Sequence, residues 1–116
     1  MLAHKNTLAT QIQSIDQLRQ FTYETLCDQE TLEVGAFPMT ERLLRRSDAP
    51  CGILFCLQGP RSVLFNAVWE TDRNTILFYG SGGERSLTIR LTGAPTLREY
   101  QPHSQQWRPT IRGPSS

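Results

Sequence analysis

Four apolar runs between residues 51 and 91 constrain this chain more than any other feature. They read CGILFCLQ (51–58), SVLFNAVWE (62–70), NTILFYG (74–80) and RSLTIRL (85–91), each rich in the β-branched, aromatic and leucine residues that suit strands. Between them stand Gly59-Pro60, Thr71-Asp72-Arg73-Asn74 and Gly80-Ser81-Gly82-Gly83. Parallel neighbours need crossovers of about a dozen residues or more, so gaps this short predict antiparallel hairpins and a four-stranded meander. The fourth run alternates: Leu87, Ile89 and Leu91 on one side, Ser86, Thr88 and Arg90 on the other. That is the pattern of a strand with one buried and one wet face. The first three runs do not alternate; Ile53, Phe55 and Leu57 oppose Leu54 and Cys56, and Phe65, Ala67 and Trp69 oppose Leu64 and Val68. Both faces of that region therefore need cover.

Upstream the pattern is helical. Ser14 followed by Gln17 matches a capping box, Asp16 suits the positive end of a helix dipole, and the segment from Ile15 to Thr31 contains neither Gly nor Pro. Ile15, Leu18, Phe21 and Leu26 approximate one face, which predicts a helix over 15–31. A second, short helix is predicted over 38–47, with Pro38 in its first turn, Met39, Leu43 and Leu44 inward, and Pro50 barring extension.

A length of 116 residues suits one core. The expected layout is a polar lead-in over 1–13, one α+β domain over 14–100, and a disordered tail over 101–116, where Pro102, Pro109 and Pro114 interrupt a polar stretch. Within that tail Trp107 with Ile111 is the pair able to dock on the body. The fold class expected is α+β, with two N-terminal helices packed on a four-stranded antiparallel meander sheet.

Charge and composition narrow the function. The net charge is +1, split as −2 up to residue 60 and +3 beyond it, too weak an asymmetry to argue for nucleic acid or an anionic membrane. No run approaches the ~18 apolar residues of a spanning helix, and MLAHKNTLATQIQS lacks a signal-peptide core, so a cytoplasmic protein is expected. Cys27, Cys51 and Cys56 are then free thiols. Cys51 and Cys56 stand five apart on one strand and point to opposite faces, which disfavours a shared metal. No metal site and no cofactor are expected.

His4 and His103 both fall in the expected loose ends, so no serine or cysteine has a positioned base, and the chain leans away from enzymes. Phe65, Trp69, Phe78 and Tyr79 with Arg61, Arg73, Arg85 and Arg90 are the residue types of a base-stacking sheet, but the aromatics lie inside apolar runs where core packing is their default. Gly80, Ser81, Gly82 and Gly83 with Arg85 form the one ligand-binding candidate, since successive backbone N–H groups in a glycine turn can cradle an anion and an arginine adds a bidentate contact. The loop leads into a strand rather than a helix, so a hairpin turn is the simpler account.

The stretch CGILFCLQGPRSVLFNAVWETDRNTILFYGSGGER (51–85) resembles a group of short uncharacterised bacterial proteins of planctomycete type, and the likeness extends to LRQFTYETLC (18–27) and ERLLRRSDAPCG (41–52). It implies a bacterial, non-secreted protein and transfers no site residue. The leading functional expectation is a non-catalytic protein-interaction module that self-associates through an uncovered sheet face, with a homo-oligomer or another protein as partner and neither nucleic acid nor membrane. The alternative is a small-ligand or phosphate-binding domain using the 80–85 loop.

Overall fold

The structure is a computed structural model that describes residues 11–93, 95–97, 100, 107 and 109. Helix α1 spans Ile15–Glu30, followed by strands β1 (Met39–Arg46), β2 (Ala49–Gln58), β3 (Leu64–Glu70), β4 (Thr75–Tyr79) and β5 (Arg85–Arg90). The strands form one antiparallel sheet in sequential order, β1-β2-β3-β4-β5. The described residues thus have an α+β architecture, with one α-helix on a five-stranded meander. Two helices on four strands, as expected from the sequence, is incorrect.

Helix α1 begins and ends on local chemistry. Ser14 is the N-cap, its Oγ accepting from the Gln17 N–H at 3.1 Å, while Gln17 Oε1 reaches back to the Gln13 N–H at 2.8 Å. Thr31 closes the helix in the left-handed conformation (φ 58°). The inward stripe is Ile15, Leu18, Thr22, Leu26 with Arg19, Tyr23 and Cys27, all buried.

The segment expected to be the second helix is strand β1. Met39, Glu41 and Leu43 face α1, opposite Leu57, Phe55 and Ile53 of β2, while Thr40, Arg42 and Leu44 face away. Glu41 interrupts this apolar inward row, yet its side chain is 0% exposed because Arg19 of α1 receives it there. Ser47 and Asp48, with φ of 53° and 68°, make the two-residue hairpin turn to β2 in the mirror-image turn geometry that matches strand twist. Pro50 sits at the register shift beside that turn, one of the few places a strand tolerates proline.

The core lies between α1 and one sheet face. Ile53, Phe55, Leu57, Ala67, Trp69, Ile76, Phe78 and Ile89 are each no more than 1% exposed. Gly52 is required in β2 because a Cβ there would stand 2.2 Å from the Trp69 carbonyl oxygen. Asn74 (φ 49°) pins the β3–β4 turn: its Oδ1 accepts from Trp69 Nε1 at 3.0 Å and its amide donates to the carbonyls of Leu91 and Gly93. At Trp107 the chain returns to the sheet edge, exchanging hydrogen bonds with Met39 at 2.7 and 2.8 Å and packing edge-on against Tyr23 at 5.3 Å. The other residues of 101–116, apart from Pro109, and residues 1–10, fall outside the described set.

Candidate functional site

The sheet has a second face. Pleating sends Arg42, Leu54, Val68, Leu77 and Thr88 in one row across all five strands on the side away from α1. A parallel row holds Thr40, Cys56, Asn66, Tyr79 and Arg85. Among the described residues no element packs on this face. Leu54, Cys56, Val68, Leu77 and Tyr79 are half-buried by their neighbours, and Leu64 at its margin is 49% exposed.

Two depressions mark the face. One, of about 420 Å³, lies over β1–β3 and is lined by Thr40, Arg42, Leu54, Cys56 and Asn66. The other, of about 210 Å³, lies over β4–β5 and is lined by Arg73, Arg85 and Arg90 with Glu70, Thr75, Leu77 and Thr88. Burial pushes the Cys56 thiol up from its ordinary pKa, so it stays protonated and unreactive at neutral pH. Cys27, Cys51 and Cys56 are all free thiols; Cys27 is buried and the other two are half-buried. Among the described residues no group of three or more His, Cys, Asp or Glu side chains gathers as a metal site, and His4 and His103 lie outside them.

The glycine loop is a hairpin turn. The Gly80 N–H donates to the Glu84 carbonyl at 2.9 Å, the Gly83 N–H to the Gly80 carbonyl at 3.0 Å, and Gly83 takes φ 89°. The Glu84 carboxylate lies over this turn: a Cβ on Gly80 or Gly82 would meet its oxygens at 2.8 or 2.7 Å. The hollow beside these glycines thus already carries a negative charge.

Arg85 is separated from that hollow by a β-bulge. Tyr79 pairs with Arg85 where regular register would give Ser86, so one extra residue sits in β5. Ser86 turns to the helix side, its hydroxyl 3.3 Å from Gln29 Oε1. Simple alternation placed Ser86 with Thr88 and Arg90; the bulge replaces it there with Arg85. Arg73, from the β3–β4 turn, and Arg90 complete the group, and neither carries a local signal joining it to Arg85. Phe65, Trp69 and Phe78 are buried under α1, leaving Tyr79 as the aromatic of that set on the open face.

Beneath the sheet runs a second charged cluster. Arg19 (3% exposed) binds both carboxylate oxygens of Glu41, its Nη2 at 3.1 Å from Oε1 and its Nε on Oε2, and donates from Nη1 to the exposed Asp16 at 2.7 Å. Burial, and next the nearby Glu41 charge, push the Tyr100 phenol up to about 12. This cluster is closed and joins α1 to the edge strand. It is a structural tie.

Set against family models, curated proteins and solved structures, the chain matches none. No helix among the described residues is long and apolar enough to cross a membrane.

Proposed function

We propose that this chain is a non-catalytic protein-interaction module whose binding surface is the open face of its sheet. The supporting observation is the continuous row Leu54–Val68–Leu77, left open among the described residues, whose one α-helix covers the other apolar face. Leu54, Val68 and Leu77 form the apolar middle of a face whose margins carry Thr40, Arg42, Asn66, Arg85 and Thr88. Exposed apolar surface rimmed by polar residues in this way marks interfaces.

Self-association, the partner expected from the sequence, meets an electrostatic obstacle on this face. Pairing two copies there sets Arg42, Arg73, Arg85 and Arg90 against the same four arginines. Of the two carboxylates beside the depressions, the Glu41 side chain is committed to Arg19, which leaves Glu70. Like charges across an interface act against association, so an acidic protein of another kind is the better fit.

The test pairs cross-linked pull-down from source cells with sedimentation of the purified chain. Leu54→Asp should abolish a specific partner that Glu24→Gln, on the outward side of α1, retains, and the pure protein should sediment as a monomer. Retention of the same partners by both variants refutes the reading. A dimer dissociated by Leu54→Asp would return the face to a second copy.

A further inference from the structure

The depression over β4 and β5 has a chemistry of its own. Arg73, Arg85 and Arg90 line it and are exposed, and among the described residues none of the three lies within ion-pair distance of a carboxylate. The nearest acid in sequence, Asp72, is taken by Arg46 at 3.2 Å. Three guanidiniums around one depression repel one another, and a folded chain gains nothing from bringing them together. Yet the bulge at Ser86 does so, turning Arg85 from the helix side to the open side, and bulges of this kind re-aim side chains next to functional sites.

We propose that Arg73, Arg85 and Arg90 form a binding site for a doubly charged oxyanion of the phosphate class. Three arginines against Glu70 give the lining a net charge of +2, which a dianion neutralises and a single carboxylate does not. A phosphate group carries about two negative charges near pH 7 and presents three acceptor oxygens, and arginine forks match such oxygens in pairs. The Thr88 hydroxyl stands on the same wall as a further donor, and Leu77 forms the floor between the two strands. A volume of about 210 Å³ holds a phosphate group rather than a whole nucleotide, so the remainder of a larger ligand would lie outside over the sheet. The site is distinct from the 80–83 turn, where the Glu84 carboxylate already stands.

The experiment is a titration of the isotope-labelled full chain with sodium phosphate at low ionic strength, followed by backbone amide shifts. Saturable shifts are expected at Arg73, Thr88 and Arg90. Arg85→Gln and Arg90→Gln should each weaken binding about ten-fold or more, a loss of one charge-assisted contact. Arg45→Gln, an exposed arginine of the β1–β2 hairpin, should leave it unchanged. Binding of a phosphoserine peptide should weaken as pH falls through about 6, where a phosphate ester loses its second charge, whereas sulfate should show no such step. A phosphoserine peptide and pyrophosphate serve as further arms: tighter binding of the first identifies a phosphorylated chain as the source, of the second a free polyphosphate. No saturable shift, or shifts that persist in the Arg85→Gln/Arg90→Gln double variant, would overturn the proposal. Leu54→Asp, which tests docking on the apolar row two strands away, should leave phosphate binding intact, so either reading can fail alone.

Discussion

Replacing Arg19 by Met removes the positive half of the pair that ties α1 to β1. Side-chain exposure is 4% for Arg19 and 0% for Glu41, so the remaining carboxylate is left buried without a countercharge. Breaking a buried pair in this way costs about 3–5 kcal/mol. Against a typical domain stability of about 5–15 kcal/mol, that is roughly a fifth or more of the total. The pair as a whole is worth far less, because taking both charges out of water offsets most of their attraction. Arg19→Met/Glu41→Leu should therefore lie within about 1 kcal/mol of wild type, or above it, and the coupling from the double-mutant cycle should recover most of the single-variant loss. Asp16, 91% exposed, contributes little, and Asp16→Ala should cost under about 0.5 kcal/mol. Urea unfolding of the wild type, Arg19→Met, Glu41→Leu, the double variant and Asp16→Ala, compared at constant m, is the assay. A single-variant cost below about 1 kcal/mol, or a double variant as unstable as the sum of the singles, would refute a desolvated ion pair.

Three further outcomes are expected. Asn74→Ala should cost roughly 2–4 kcal/mol in the same urea assay, because it orphans the Trp69 indole N–H and the Leu91 carbonyl and puts a Cβ-bearing residue without local hydrogen bonds at φ 49°. Asp48→Gly should raise the thermal midpoint, worth about 1 kcal/mol, since the turn holds this residue at φ 68°. Tyr100 titrates near 12 in the folded chain against 10 unfolded, so its raised pKa adds stability that is complete below pH 10 and lost as pH rises towards 12; thermal midpoints across that range should fall less steeply in Tyr100→Phe.

What was legible in the sequence was what short-range chemistry dictates. Ser14, Gln17 and the absence of Gly and Pro set α1, and four β-favouring runs with turn residues between them set β2 to β5 as a meander. Strand β1 was not legible. Its inward positions are Met39, Glu41 and Leu43, and a glutamate in a buried row reads as a break unless Arg19, twenty-two residues earlier, is known to stand above it. The doublets Leu43-Leu44 and Arg45-Arg46 also blur a two-residue period into something helix-like.

The candidate site divides along the same line. Local composition makes the central strands apolar on both faces, because hydrophobic runs without alternation admit no wet side. It could not determine that α1 would cover one face and leave Leu54, Val68 and Leu77 on the other, since that depends on β1 being a strand. Nor could it place Arg85 with Arg73 and Arg90. Alternation counts residues, and the extra residue in β5 changes the count; the partner of Ser86 on the helix side, Gln29, lies 57 residues away. Local propensity selects strand or helix from neighbours along the chain, but the side a strand residue faces is fixed by register, and register is settled between segments.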